Sequence, residues 1–388
     1  LASLSGLWRG GWHTTTWLHP HAVDTRTTEA DGSRALVENA AFDLGARLER
    51  EVLLAADVAL RAGGEYSARR GVDATETAFD ANGRRLAVAR PLAGAGQDDA
   101  AAFASLAWSL PGATLEAGAR FTWRAQENGG AADAGSARSD DSAWNGFAGA
   151  VVPLGGGFQA TANLGTGMRW PTLSERFFSG TTGRGEVIAN PGLDPERSLQ
   201  ADLGLAWFGR RLHVSAHAFR NEIDGFIEQV GLPAPGGGDV STFVNLGRGT
   251  IQGVEVDGFA QLARGWMLGW GAHALSGESE AGQPLADVPA DRAFATLEAG
   301  PDAGLAAGRL TARLRLEHRA AVDDPGPGEQ PIPDATLLSG SLAWRLRDGL
   351  TVALTGTNLT DALWLPAADD KAVPAAGRSV GVTIRWNG

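Results

Sequence analysis

The side chains able to do chemistry in this sequence are few in kind. Cysteine is absent, which removes disulfides, thiolate metal centres and a thiol nucleophile. Seven histidines remain. His213 and His217 share one face of a strand, but at about 13 Å apart they cannot hold one ion. His13, His19 and His21 cluster near the first long connection. Exposed loop histidine is the default reading of His19 and His21. A loop contact with Zn, Cu, Fe or Ni is the alternative, because imidazole suits all four. No resident metal or cofactor is expected. No serine, histidine and acid stand at a recognisable hydrolytic spacing, and no glycine loop is built to cradle phosphate. The runs Gly155–Gly157 and Gly236–Gly238 are turn and loop material. The residues therefore point away from an enzyme. With 33 basic against 45 acidic residues, net charge is −12. That disfavours nucleic acid, whose phosphates need clustered Lys and Arg.

The elements that carry these residues read as strands. Period-two alternation recurs in Leu115–Arg124, Leu199–Trp207, Leu310–Glu317 and Leu338–Arg347, where a helix would space apolar residues by three and four. Each segment has about 9–11 residues, the length a tilted strand needs to cross a bilayer. No run of apolar residues is long enough for a transmembrane helix. No secretory signal opens the sequence, so any signal was removed or lies upstream.

Connections alternate short and long. Short ones are expected at Arg50-Glu51, Pro111-Gly112, Gly155–Gly157, Gly209–Arg211, Arg264-Gly265 and Arg347–Gly349, with a longer one from Gly300 to Gly308. Long ones are expected over residues 20–33, 67–100, 127–142, 170–197, 231–250, 277–291, 319–334 and 361–377, all rich in Gly, Pro, Asp and Ser. Outer-membrane barrels have short periplasmic turns and long outer loops. The pattern predicts an all-β, transmembrane, antiparallel up-and-down β-barrel over residues 1–388, with about sixteen strands. Residues 127–142, 170–197 and 319–334 are then expected outside the cell.

In such a barrel the apolar face meets outer-membrane lipid. The charges Arg120, Glu255, Asp257, Arg313, Arg315 and Arg345 face the lumen, because a charge at mid-bilayer costs roughly 2–4 kcal/mol. Trp108, Trp207, Trp266, Trp344 and Trp386 all sit near a short turn or the chain end, as aromatic girdles do.

Four stretches resemble the TonB-dependent receptors. Gly167-Met168-Arg169-Trp170-Pro171-Thr172-Leu173-Ser174-Glu175, followed by Asn190-Pro191-Gly192-Leu193-Asp194-Pro195-Glu196-Arg197-Ser198, is similar to that family's strand end and the re-start of its next strand. Gly253-Val254-Glu255 is similar to its G-x-E strand start, and Val288-Pro289 with Arg292 to its I-P-x-x-R loop end. Asn358-Leu359-Thr360-Asp361, then Ala376-Gly377-Arg378, resembles its N-L-x-D and P-G-R pair. The likeness runs from about Thr161 to Trp386. Trp386 is followed by Asn387 and Gly388, whereas family members tend to end on an aromatic residue.

The resemblance implies a barrel of 22 strands closed by an N-terminal plug, so about six strands and the plug are expected upstream of this chain. It implies TonB-dependent active transport across the outer membrane of a Gram-negative bacterium. An extracellular small-molecule ligand binds at loops and plug, and the TonB complex acts through the plug. The cargo implied is a metal complex such as a ferric siderophore, cobalamin or haem. Ligand or plug contact is then expected at Arg169, Glu175, Arg176, Arg184 and Glu186. The alternative is a passive sixteen-stranded porin. A barrel hydrolase is a third class, but its nucleophile and base are not found.

Overall fold

The computed structural model describes residues 2–129, 137–182, 185–233, 240–369 and 372–387. In chain order the strands begin with β1 (Ala2–Trp8), β2 (Trp12–Thr28), β3 (Arg34–Ala55), β4 (Val58–Phe79), β5 (Arg85–Leu110), β6 (Ala113–Asn128), β7 (Ala137–Gly155) and β8 (Phe158–Arg169). Helix α1 (Leu173–Phe177) follows, then β9 (Gly180–Thr182), β10 (Gly185–Ile188), β11 (Glu196–Phe208), β12 (Leu212–Asp224), β13 (Ile227–Leu232) and β14 (Val240–Asn245). The chain continues with β15 (Arg248–Ala263), β16 (Trp266–Ser279), β17 (Arg292–Ala299), β18 (Leu310–Arg319), β19 (Ala335–Arg347), β20 (Leu350–Thr357) and β21 (Ser379–Trp386). The fold is all-β: among the described residues seventeen strands belong to one large sheet and four to a small one. Among the described residues no helix is long and apolar enough to cross a membrane.

Two compact units are distinguished within the chain. The first comprises Leu1–Gly149, Leu164–Leu199 and Ile223–Gly247. In it β1 to β6 pair successively and antiparallel. One face of this ladder is charged. Glu49 takes Arg47 and Arg61, each at 2.7 Å, and Glu65 takes Arg120 at 3.3 Å and Arg47 at 3.5 Å. The Arg47 guanidinium also lies 4.7 Å from the Phe103 ring centroid. Leu18, Leu48, Leu106 and Trp108 stand on the opposite face and are exposed. Gly45 leaves room for the Trp17 ring across the β2–β3 pair; a Cβ there would lie 2.1 Å from Trp17 Cζ2.

The second unit comprises Ala150–Asn163, Gln200–Glu222 and Arg248–Gly388. Here β15 to β21 pair successively and antiparallel. Their register puts Leu314, Leu342, Leu354, Val380, Val382 and Ile384 on one face, all 45% to 67% exposed. A broad exposed apolar face opposite a charged one is the pattern of a sheet bordering hydrocarbon, inverted from a soluble β-protein.

Several expectations about segments are corrected. Residues 67–100 are not a loop: β4 and β5 fill them, leaving only residues 80–84 as a connection. Their Gly and Pro residues mark irregularities in the ladder, with register shifts between Arg69 and Glu76 and positive φ at Gly71 and Gly94. Residues 20–28 belong to β2, and the turn there spans only 29–33. Arg50 and Glu51 lie inside β3, and the tight turn falls at residues 56–57. Gly10 and Gly11, both at positive φ, form the turn of the β1–β2 hairpin. Strands β3, β4 and β5 run to 22, 22 and 26 residues, more than a bilayer requires. The turns at 111–112, 155–157, 209–211, 264–265 and 347–349 fall where expected, to within one residue. The expected connections 127–142 and 231–250 lie in part outside the described residues.

Candidate functional site

The segment from Arg169 to Glu196 is organised around α1. Thr172 caps the helix: its Oγ1 accepts the Glu175 N–H at 3.1 Å, and its own N–H donates to Glu175 Oε2 at 2.7 Å. This reciprocal box makes a five-residue helix viable where propensity alone would not. Leu173 and Phe177 bury their side chains against Ala74, Leu92 and Ala95 of β4 and β5. The irregular stretch of those two strands is therefore the floor on which the segment sits.

Arg169, at the end of β8, uses both terminal nitrogens. Nη1 donates to the two Glu175 carboxylate oxygens at 2.9 and 3.1 Å, and Nη2 to Glu196 Oε1 at 2.7 Å. That Glu196 oxygen also accepts the Ile227 N–H at 2.8 Å. Arg169 thus ties the end of one long strand to the helix and to the start of the next.

Arg176 is 1% exposed. Its guanidinium donates to Gln126 Oε1 at 2.9 Å, Ser139 Oγ at 2.6 Å, Asp141 Oδ2 at 2.7 Å and the Leu193 carbonyl at 2.6 Å. Gln126, equally buried, donates to the Pro171 carbonyl at 2.9 Å and to Gln97 Oε1 at 3.0 Å. Farther along, Asn190 donates to the Phe243 carbonyl at 2.8 Å. Asn245 brackets Asp194, accepting its N–H and donating to its carbonyl at 2.8 and 2.9 Å. Pairing of β10 with β14, parallel, completes a small sheet in the order β13-β14-β10-β9.

Of the residues expected to contact ligand or plug, Arg169, Glu175 and Arg176 are thus brought into one ion-paired framework. Their polar groups are engaged in shaping the segment. Glu186 sits exposed on β10, and Arg184 lies outside the described residues. Beside the framework, in the same unit, is a polar cavity of ≈ 490 Å³ lined by Asp43, Arg69, Gln97, Asp99, Arg124 and Ser174, among others. Arg124 donates to Asp99 Oδ1 at 2.5 Å, with its guanidinium 5.4 Å from the Trp170 ring centroid. None of Asp43, Arg69 and Asp99 was singled out from the sequence. The signal for them was strand register, which a loop reading of residues 67–100 concealed by hiding Arg69, the cross-strand partner of Asp43, and Asp99.

The charges expected to face a lumen are grouped by the ladders. Arg120 bonds Glu65 and Thr122 in the first unit. In the second, register places Glu255, Asp257, Arg313, Arg315 and Arg345 together on the face opposite Leu314. Arg313 meets Glu298 at 3.3 Å, Arg315 meets Glu317 at 2.9 Å and lies over Phe294, and Asp257 accepts the Ser215 hydroxyl at 2.6 Å. Glu255 stands across from His273, and Arg345 is exposed. A smaller cavity of ≈ 200 Å³ in this unit is lined by His273, Arg292, Arg319, Glu329 and Trp364, among others. The Arg319 guanidinium lies 4.4 Å from the Trp364 centroid.

The motif pair near the end of the chain also closes. Asn358 and Asp361 both take positive φ, a conformation Asn and Asp tolerate better than most residues. The buried Asn358 side chain bonds both backbone groups of Ala362 at 2.9 and 3.0 Å. Asp361 accepts the Arg378 backbone N–H at 2.9 Å and its guanidinium at 3.0 Å. Those two donors, the backbone one foremost, hold the Asp361 carboxyl below its ordinary value. Of the histidines, His13 Nδ1 lies 3.5 Å from Glu49, and the His213 ring lies tilted against Phe208 and Phe259, with centroids 4.6 and 5.5 Å away.

Comparison with known proteins supplies the family. The model of the family described as TonB dependent receptor-like, beta-barrel, matches residues 3–359. Comparison with curated proteins found no match. Among solved structures, the copper transporter OprC superposes with a TM-score of 0.81 at 18% identity, over 97% of this chain and 64% of that one. The ferric yersiniabactin uptake receptor FyuA from Yersinia pestis gives 0.74 at 16% identity, over 99% of this chain and 60% of that one. The hemophore receptor HasR of Serratia marcescens, solved with its hemophore HasA and heme, gives 0.67 at 16% identity, over 97% and 66%. This chain therefore spans less than two thirds of the length of the first two. Those structures are of transport and uptake receptors, not enzymes, and members of the family are outer-membrane proteins of Gram-negative bacteria. On the match over residues 3–359, the chain belongs to the TonB-dependent receptor β-barrel family.

Proposed function

We infer that this chain is the barrel portion of a receptor that imports a scarce nutrient across the outer membrane of a Gram-negative bacterium, powered through TonB. The family match over residues 3–359 carries this reading. The two-faced sheet supports it: the exposed apolar face suits lipid, and the ion-paired face suits a wet or filled lumen. The cargo is a small metal complex. The similar receptors are a copper transporter, a ferric yersiniabactin uptake receptor and a hemophore receptor solved with heme, and copper, ferric yersiniabactin and heme are each a metal or metal complex. A plug domain is the partner through which TonB acts, and the segment from Arg169 to Glu196, with residues 127–142 and 319–334, faces the cell exterior. Arg169, Glu175 and Arg176 then serve ligand capture indirectly, by holding the shape of the outer segment. Arg184 and Glu186 are the members of that set proposed for direct contact.

Conductance of the full-length protein carrying this chain, in planar bilayers, separates this function from a passive porin. A gated receptor gives no steady pore in the absence of ligand and TonB. A stable, ligand-independent conductance would overturn the reading.

A further inference from the structure

His19 and His21 were expected in a loop, yet β2 runs through them. Residues two apart on a strand point to the same face, and the two imidazole centroids are 3.7 Å apart, tilted by 54°. The β2–β3 register sets Asp43 directly across from His19. His21 Nε2 lies 2.8 Å from Asp43 Oδ2. One ligand atom from each of His19, His21 and Asp43 falls within 4.8 Å of the others. All three side chains are half-buried, and Asp43 lines the ≈ 490 Å³ polar cavity.

We propose that His19, His21 and Asp43 form a binding site for a divalent transition-metal ion such as Zn(II) or Cu(II). Two imidazoles and a carboxylate are a donor set these ions favour. Two ligands on one tetrahedral ion stand about 3.3 Å apart, given metal–ligand distances near 2.0–2.1 Å. The His21–Asp43 pair therefore needs to open by only about half an ångström, and His19 to swing in. The ion takes the place of the hydrogen bond between His21 Nε2 and Asp43 Oδ2, so the His21 ring adopts the tautomer protonated at Nδ1. Water from the cavity completes the shell.

Arg69 acts on both oxygens of the same carboxylate. Its Nε donates to Asp43 Oδ1 at 2.7 Å and its Nη2 to Oδ2 at 2.8 Å. This is the outer partner that metal-binding carboxylates usually have, and it fixes Asp43 toward the histidines. Its positive charge also weakens the site, which suits an ion held in passing rather than a permanent structural metal. The inference concerns metal binding alone and stands apart from the transport reading, so either can fail without the other.

The test uses the untagged full-length protein carrying this chain, purified in detergent. Its histidines are modified with diethylpyrocarbonate, with and without Zn(II), and mapped by mass spectrometry. The expected result is a several-fold slower modification of His19 and His21 with Zn(II), while exposed His217 reacts at an unchanged rate. Asp43→Asn is expected to abolish that protection. Equal rates at His19 and His21 with and without Zn(II) in the native protein overturn the site. Undiminished protection in Asp43→Asn overturns the role of the carboxylate.

Discussion

The guanidinium of Arg176, almost wholly buried in the helix after β8, lies 2.7 Å from the Asp141 carboxylate of β7. One cation thereby fastens the segment 170–196 to the neighbouring strands, with Gln126 and the Leu193 carbonyl as further acceptors. A buried charge is tolerated when it is paired and hydrogen-bonded; both terminal nitrogens of Arg176 are so engaged, while its Nε has no hydrogen-bond partner among the described residues.

Arg176→Met keeps the bulk of the stem and removes every donor. It leaves Asp141 without its cation and Gln126 without a partner for its carbonyl, a loss of about 3–5 kcal/mol for breaking a buried pair. The expected outcome is a loosened segment 170–196 in a protein that still assembles. Limited proteolysis measures this: cleavage between residues 178 and 193 should accelerate sharply. Unchanged resistance would mean that the network is ornamental.

Thr172→Ala removes half of the capping box. The expected cost is about 1 kcal/mol, felt locally because α1 is a single short helix. Hydrogen exchange at the Glu175 amide, which Thr172 Oγ1 accepts at 3.1 Å, reads it. Faster exchange in Thr172→Ala than in Thr172→Ser is predicted. Equal rates would contradict the cap.

Two adjacent residues on β18 test the faces. Leu314 is 49% exposed among other apolar residues, whereas Arg313 meets Glu298 on the opposite side. Leu314→Arg puts a charge on the hydrocarbon face at a cost of roughly 2–4 kcal/mol. Arg313→Leu removes one exposed ion pair, worth about 1 kcal/mol or less. Folding yields in lipid vesicles, scored by heat-modifiable migration, should fall for the first and hold for the second. Equal yields would reverse the face assignment.

Asp361 supplies a pH-dependent tie. Its carboxyl is held below the ordinary value of 3.8 by the Arg378 backbone N–H and guanidinium. A depressed folded value means stability present above the unfolded value and lost as pH falls through the folded one. Thermal midpoints of wild type and Asp361→Asn should therefore differ above pH 3.8 and converge as pH falls through the lowered folded value. A gap that persists in acid, or none at neutral pH, would contradict the pairing.

Much of the fold was legible because alternation is a strong signal wherever the ladder is regular. Leu310–Glu317 and Leu338–Arg347 fall wholly within β18 and β19. The legible turns were those where Gly occupies a two- or three-residue link. Alternation failed where the strands bulge. Between Arg69 and Glu76 the register shifts repeatedly, so the apolar residues change faces and the pattern reads as a loop. The candidate site suffered for the same reason. Arg169 and Glu175 could be found from their motif. The partners of Arg176, such as Gln126 and Asp141, are separated from it by 50 and 35 residues and become neighbours only through strand pairing. Asp43 meets His21 in the same way.

TonB-powered import is read out by uptake into whole cells. Cells lacking their own receptors would carry the full-length protein, in strains with and without TonB, and be offered labelled copper, ferric siderophores, haem and cobalamin in turn. At least one of these metal compounds is expected to accumulate, and only where both the receptor and TonB are present. Accumulation that is the same without TonB, or of none of them in either strain, would contradict it.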